Sequence, residues 1–109
     1  MLIRLAQRED YTQLSGLLNH SNPTDPEETK VEYQIFQEII GSNYLDLIVA
    51  ENNSLLVGSC YLNIMPNMTR GGRPYAVIEN VITHSASCNQ GIGQALITRA
   101  LELVWKENC

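Results

Sequence analysis

The 109 residues leave room for one domain with a modest core, and a content of 44% apolar and 17% charged residues excludes a disordered chain. The net charge is −5, with three basic and nine acidic side chains in residues 1–54 against four and three in 55–109; this argues against nucleic-acid binding, which needs many cationic phosphate contacts. No window approaches the roughly 20 unbroken apolar residues of a membrane span and the first ten residues lack a signal pattern, so no membrane association and a cytoplasmic location are expected.

Leu2, Ile3 and Leu5 predict a short strand. Glu9-Asp10 then opens an amphipathic helix with Tyr11, Leu14, Leu17 and Leu18 at helical spacing, broken by Ser21-Asn22-Pro23-Thr24. A second helix is expected from Asp25 as N-cap, Pro26 at the first helical position and Glu28 in a capping-box-like arrangement. Val31, Ile35, Phe36, Ile39 and Ile40 form its stripe, and Gly41 is its stop. The acidic excess falls mostly here and reads as a solvated face, with a cationic substrate as the sharper alternative.

Leu45 to Ala50 and Leu55 to Met65 read as strands joined by a turn at Glu51-Asn52-Asn53-Ser54, and should form a hairpin. Residues 66–74, with Gly71-Gly72, read as a loop whose only charges are Arg70 and Arg73, either solvated or available to an anionic ligand. Tyr75 to Thr83 is the most apolar strand. Ile92, Ala95, Leu96, Ala100, Leu103 and Val104 make the buried stripe of a last helix, with Glu102 and Lys106 four apart on its wet side. The order is β-α-α-β-β-β-α. Cys60, Cys88 and Cys109 show no metal-like spacing, so three reduced thiols and no metal site are expected.

One junction carries the chemistry. The strand residues Glu79-Asn80-Val81-Ile82-Thr83-His84 lead into Cys88-Asn89-Gln90-Gly91-Ile92-Gly93-Gln94-Ala95, where the last helix begins. The first turn of a helix has unpaired N–H groups and a dipole that favours negative charge. Glycines there let a large anion such as a pyrophosphate come close to the backbone. A P-loop is excluded, because no Gly-Lys-Ser/Thr is present, and a dinucleotide site would need a third glycine that Ala95-Leu96 does not supply.

The run from Ile78 through His84, four further residues, and Asn89 through Leu96 resembles the acetyl-CoA-binding motif of the GNAT superfamily of N-acetyltransferases. The resemblance extends over the whole element order. It implies a mixed α/β (α+β) fold with a mainly antiparallel central sheet flanked by helices, and residues 1–109 as a single such domain. It also implies transfer of an acetyl group from acetyl-CoA to a primary amine by direct attack. Backbone groups of Val81, Ile82 and Thr83 would align the pantetheine arm, and the loop of Cys88, Asn89, Gln90, Gly91, Ile92, Gly93 and Gln94 would hold the pyrophosphate.

Glu79 is the candidate general base: strand alternation places it between Val77 and Val81 on one face, and burial there would raise its pKa. A glutamate at the sheet surface, or one bound to a loop arginine, is the alternative. His84 is expected to stabilise the loop and His20 to cap the first helix, while Tyr11 and Tyr33 would border an acceptor pocket. The chain departs from the family pattern in two places. Cys88 stands where Arg or Gln is usual, and the family's fifth strand and later elements, with the tyrosine that commonly serves as general acid, are not among residues 1–109. These departures set two expectations. An inactive, truncated relative acting as a CoA-binding or protein-interaction module is the alternative function, and the free edge of the central strand should drive formation of a homo-oligomer.

Overall fold

The computed structural model describes residues 1–21, 30–87 and 90–107, with side chains of 19–21, 30 and 31 outside the description. The expected cap at Asp25, Pro26 and Glu28, the loop residues Cys88 and Asn89, Cys109, and the side chains of His20 and Val31 therefore lie outside the described residues.

Four strands, β1 (Leu2–Leu5), β2 (Leu45–Asn52), β3 (Leu55–Met65) and β4 (Tyr75–Thr83), form one antiparallel sheet in the order of the chain. Helices α1 (Tyr11–Ser21) and α2 (Lys30–Ile40) cover one face, and α3 (Ile92–Lys106) covers the other. This is the α/β architecture expected from the sequence. The hairpin β2–β3 closes through Asn53 (φ 52°) and Ser54 (φ 67°), two positive φ values that match the twist of the flanking strands. Gly41 ends α2 by donating its N–H to the Gln37 carbonyl at 3.1 Å.

Alternation sorts the core into two layers. Ile48, Ala50, Cys60 and Leu62 face α3 and meet Ile92, Leu96, Ala100 and Val104, spaced every four residues along the helix. Leu47, Val49 and Leu56 face the other way, onto Leu14, Leu17 and Phe36. Burying each such side chain stabilises the fold by about 1.5–3 kcal/mol. Cys60 is so enclosed that burial pushes its thiol up to about 11, and it behaves as a small apolar residue.

The entry to α1 is held by charge. A 3-10 turn, Arg8–Asp10, precedes the helix, and the carboxylate of Asp10 is buried within it. The Arg4 guanidinium donates to both its oxygens, at 2.7 and 2.9 Å, and to Glu51 Oε1 at 2.9 Å. The Gln7 N–H adds a fourth bond to the cluster at 2.7 Å, and the paired arginine holds Asp10 below the usual carboxylate range. Gln13 docks α1 to the hairpin by accepting the Leu56 N–H at 2.9 Å.

Candidate functional site

Strand β4 is bent where the sequence pattern promised regularity. Its register with β3 runs Met65↔Tyr75 to Tyr61↔Glu79 and then resumes one residue out of step at Ser59↔Ile82. Asn80 and Val81 thus oppose Cys60 together, a bulge that Asn80 accommodates with φ 51°, a value asparagine tolerates better than most residues. Past the bulge the His84 N–H donates to the Val57 carbonyl at 2.9 Å. Successive N–H groups along a strand point to opposite sides. Those of Thr83 and Val81 therefore turn away from β3 to the outer edge of β4, where no further strand pairs among the described residues.

That edge ends under the first turn of α3. Gly91 opens the helix with φ 75° and no side-chain cap, and the first backbone bond inside the helix runs from the Ala95 N–H to the Gly91 carbonyl at 3.0 Å. The N–H groups of Ile92, Gly93 and Gln94 precede that bond. Ile92 has a buried side chain and can offer a ligand only its backbone, while Gln90 and Gln94 are exposed. A side chain on Gly93 would touch Val81 Cγ1 and Thr83 Oγ1 (3.7 and 3.9 Å), so the helix start lies directly over the end of β4.

The close approach depends on a residue that sequence reasoning passed over. A Cβ on Gly58 would lie 2.8 Å from Ile92 Cγ2 and 3.1 Å from Leu96 Cδ1. Glycine inside a strand often marks such an approach, which was the available signal. The turn between β4 and α3 is itself braced, because His84 Nδ1 accepts the Ala86 N–H at 3.1 Å and its carbonyl accepts the Ser87 N–H at 2.8 Å. His84 thus has the loop-stabilising contacts expected of it.

Glu79 requires a correction. It is exposed, not buried, and Val77 and Val81 do not flank it on one face. The bulge is the reason: it turns Val81 toward α3, while Val77 and Glu79 stay on the α1/α2 side with Asn63, whose Nδ2 donates to Glu79 Oε1 at 3.3 Å. The loop arginines are exposed, in keeping with the solvated reading. Arg70 and Arg73 stand beside Tyr75 and Trp105 at the far end of β4 from Thr83, roughly 26 Å away at about 3.3 Å per residue. They do not join the glycine turn. On α3, Glu102 pairs with Arg99 at 2.8 Å.

On the side of Glu79 a cleft of about 250 Å³ opens between α1, α2 and the sheet, with Tyr11, Leu14, Glu32, Phe36, Leu47 and Tyr61 in its wall. Tyr11 packs edge-on against Tyr33 (4.8 Å between centroids) and at a tilt against Phe36 (5.2 Å), so Tyr33 supports the wall and does not line it. Burial raises the Tyr61 phenol above its ordinary value. The registers join cleft and edge, since Leu47 opposes Tyr61 and Tyr61 opposes Glu79. Directly opposed side chains sit about 4.5–5.5 Å apart at Cβ, so the row leads from the cleft floor to the strand with the open edge.

A bulged strand with an open edge, a glycine turn at a helix start and a cleft beside them fit the acetyltransferase resemblance of the sequence. The family comparison agrees: residues 7–109 match the profile of the acetyltransferase (GNAT) family, and the chain belongs to that family. Among solved structures, a protein of Agrobacterium tumefaciens str. C58 with a provisional acetyltransferase name is 36% identical, with a TM-score of 0.93, over 100% of this chain and 76% of that one. A transcriptional regulator from Bacillus halodurans C-125 is 33% identical, with a TM-score of 0.89, over 99% and 76%. The glucosamine 6-phosphate N-acetyltransferase of Trypanosoma brucei brucei is 39% identical over 54 residues, which are 50% of this chain and 37% of that relative. The match thus spans little more than a third of the curated relative's length.

Proposed function

We propose that this chain transfers an acetyl group from acetyl-CoA to a primary amine. The observation that carries the reading is the row Leu47–Tyr61–Glu79, which joins the cleft to the strand whose outer edge ends beneath the glycine turn. The residues present suit the co-substrate: outward backbone groups of Val81 and Thr83 along the edge, then the N–H groups of the turn from Gln90 to Gln94 for the pyrophosphate. Ile82 serves differently. Its side chain packs into the α1/α2 layer and fixes the strand. Cys88 and Asn89 remain part of the proposed loop by sequence.

Acetyl-CoA supplies an activated thioester. The amine enters from the cleft, Glu79 takes a proton from its nitrogen, and the nitrogen attacks the thioester carbonyl carbon. A C–N bond forms, the C–S bond breaks, the nitrogen gives up its second proton to water, and the leaving thiolate takes up a proton from water. Glu32 and Glu38 on α2 favour the approach of a cationic amine, and the cytoplasm is the proposed setting.

Calorimetry with acetyl-CoA on the wild type and on Gly91→Val tests the site. Micromolar binding that the variant loses is expected, because valine at φ 75° is strained and the turn would have to move. Absence of binding by the folded wild type would overturn the reading.

A second reading, that of a binding or interaction module, has its own observation. The β4 edge adjoins an exposed apolar row on α3, Ile97, Leu101 and Trp105. Strand edges and apolar rows of this kind favour self-association. Sedimentation should find a dimer that acetyl-CoA dissociates if both use the β4 edge, and a monomer at high concentration would remove the oligomer.

A further inference from the structure

We propose that the cleft selects a small primary amine with an alkyl or aryl body and discriminates against phosphorylated amino sugars. This rests on the reading of the cleft as the acceptor side. Apart from Glu32, Ser15 and the phenols of Tyr11 and Tyr61, every residue lining it is leucine, isoleucine or phenylalanine. At about 250 Å³ the space is below the usual range for drug-sized ligands, which begins near 300 Å³. A compact body is therefore favoured over an extended one.

Charge sharpens the choice. Among the described lining residues Glu32 is the one ionisable acid or base apart from the two phenols, and none is a lysine or arginine. A carboxylate beside aromatic rings suits an ammonium group, which gains both from the charge and from the ring faces of Tyr11 and Phe36. A phosphate meets the opposite conditions. It needs arginine, lysine or clustered N–H donors, and here it would be desolvated against apolar walls beside a like charge. Among the described residues, Arg70 and Arg73 stand at the Tyr75 end of β4, Arg99 is bonded to Glu102 on α3, and Arg4 to Asp10 and Glu51. The partial likeness to a glucosamine 6-phosphate N-acetyltransferase is thus not matched by the chemistry of this cleft.

The test is binding of phenethylamine and of glucosamine 6-phosphate to the wild-type protein without acetyl-CoA, followed by NMR of the tyrosine rings. Saturable phenethylamine binding that shifts Tyr11 and Tyr61 is expected, with glucosamine 6-phosphate at least tenfold weaker. Glu32→Gln, at an exposed helix position, should weaken phenethylamine about tenfold and leave the fold intact. Equal or tighter binding of the sugar phosphate overturns the proposal, as does failure of phenethylamine to bind or to move those two rings. Because acetyl-CoA takes no part, this outcome is separate from the calorimetry that tests the transferase reading itself.

Discussion

The two faces of the sheet are packed to different standards. Toward α3, Ile48, Ala50, Leu62, Leu96 and Ala100 have no measurable exposure, and Gly58 lets the helix come nearer than any side chain would allow. Toward α1 and α2, Tyr61 and Tyr11 are half-buried, Ile35 is exposed, and a cleft remains. The dense face holds the glycine turn in a fixed relation to the β4 edge, as a shared co-substrate would demand. The loose face leaves its lining free to differ from one relative to another. Close packing transmits a displacement, whereas a roomy face absorbs it.

The largest test of this contrast is Gly58→Val. The new side chain must displace Ile92 and Leu96, and it should destabilise the protein by about 3 kcal/mol, at the upper end for overpacking. It should also weaken acetyl-CoA binding, because the start of α3 would move from β4. Denaturant unfolding and calorimetry measure the two effects. Lost stability with unchanged affinity would mean that the turn does not depend on the dense face.

On the loose face the expected effect is on rate and not on stability. Glu79→Gln should lower turnover about 100-fold, within the range for loss of a general base. Its exposure predicts a change in unfolding free energy within about 0.5 kcal/mol. An unchanged rate at every pH tested would remove Glu79 from the mechanism.

These two positions also mark what could be read from the sequence. Elements with strong local signals were legible: the α3 stripe from Ile92 to Val104, the Gly41 stop, and the turn expected at residues 51–54, of which Asn53 and Ser54 turn while Glu51 and Asn52 still belong to β2. So was the glycine turn, since it depends on neighbours in the chain. What failed was the assumption that a strand keeps a period of two. Between Glu79 and Val81 the bulge adds a residue, and Val57 is likewise the extra residue where β3 passes Ala50 and Glu51. Each insertion reverses the faces beyond it. That reversal is why Val81 does not flank Glu79 as the alternation predicted, while Glu79 lies with Val77 on an exposed stretch of the α1/α2 face. The need for glycine at position 58 and the pairing of Arg4 with Asp10 are contacts between distant segments, which periodicity cannot report.

Two carboxylates extend the comparison to smaller effects and separate by the sign of their pH dependence. Asp10 is held low, chiefly by its hydrogen bonds from Arg4. Its contribution is complete above the ordinary carboxylate pKa of 3.8 and is lost as pH falls through the lower folded value. Asp10→Asn should cost about 2 kcal/mol near neutrality, the scale of a hydrogen bond to a charged group, and much less in strong acid.

Asp46 is the opposite case and the smallest effect. Burial raises its pKa first, and the negative charge of Glu107 at the end of α3 adds to the shift. The folded state therefore binds this proton more readily than the unfolded chain does. The sign reverses: relative stability is gained as pH falls through the raised folded value and is lost again as pH rises through it. Asp46→Asn should raise stability near neutral pH, by well under 1 kcal/mol at so solvated a site, and the gain should vanish below the ordinary carboxylate pKa. Thermal unfolding of both variants from strong acid to pH 8 distinguishes them, since one curve should approach the wild type from below as pH falls and the other from above. Parallel curves would mean that neither carboxylate titrates differently on folding, and that Arg4 acts on Asp10 through geometry and not charge.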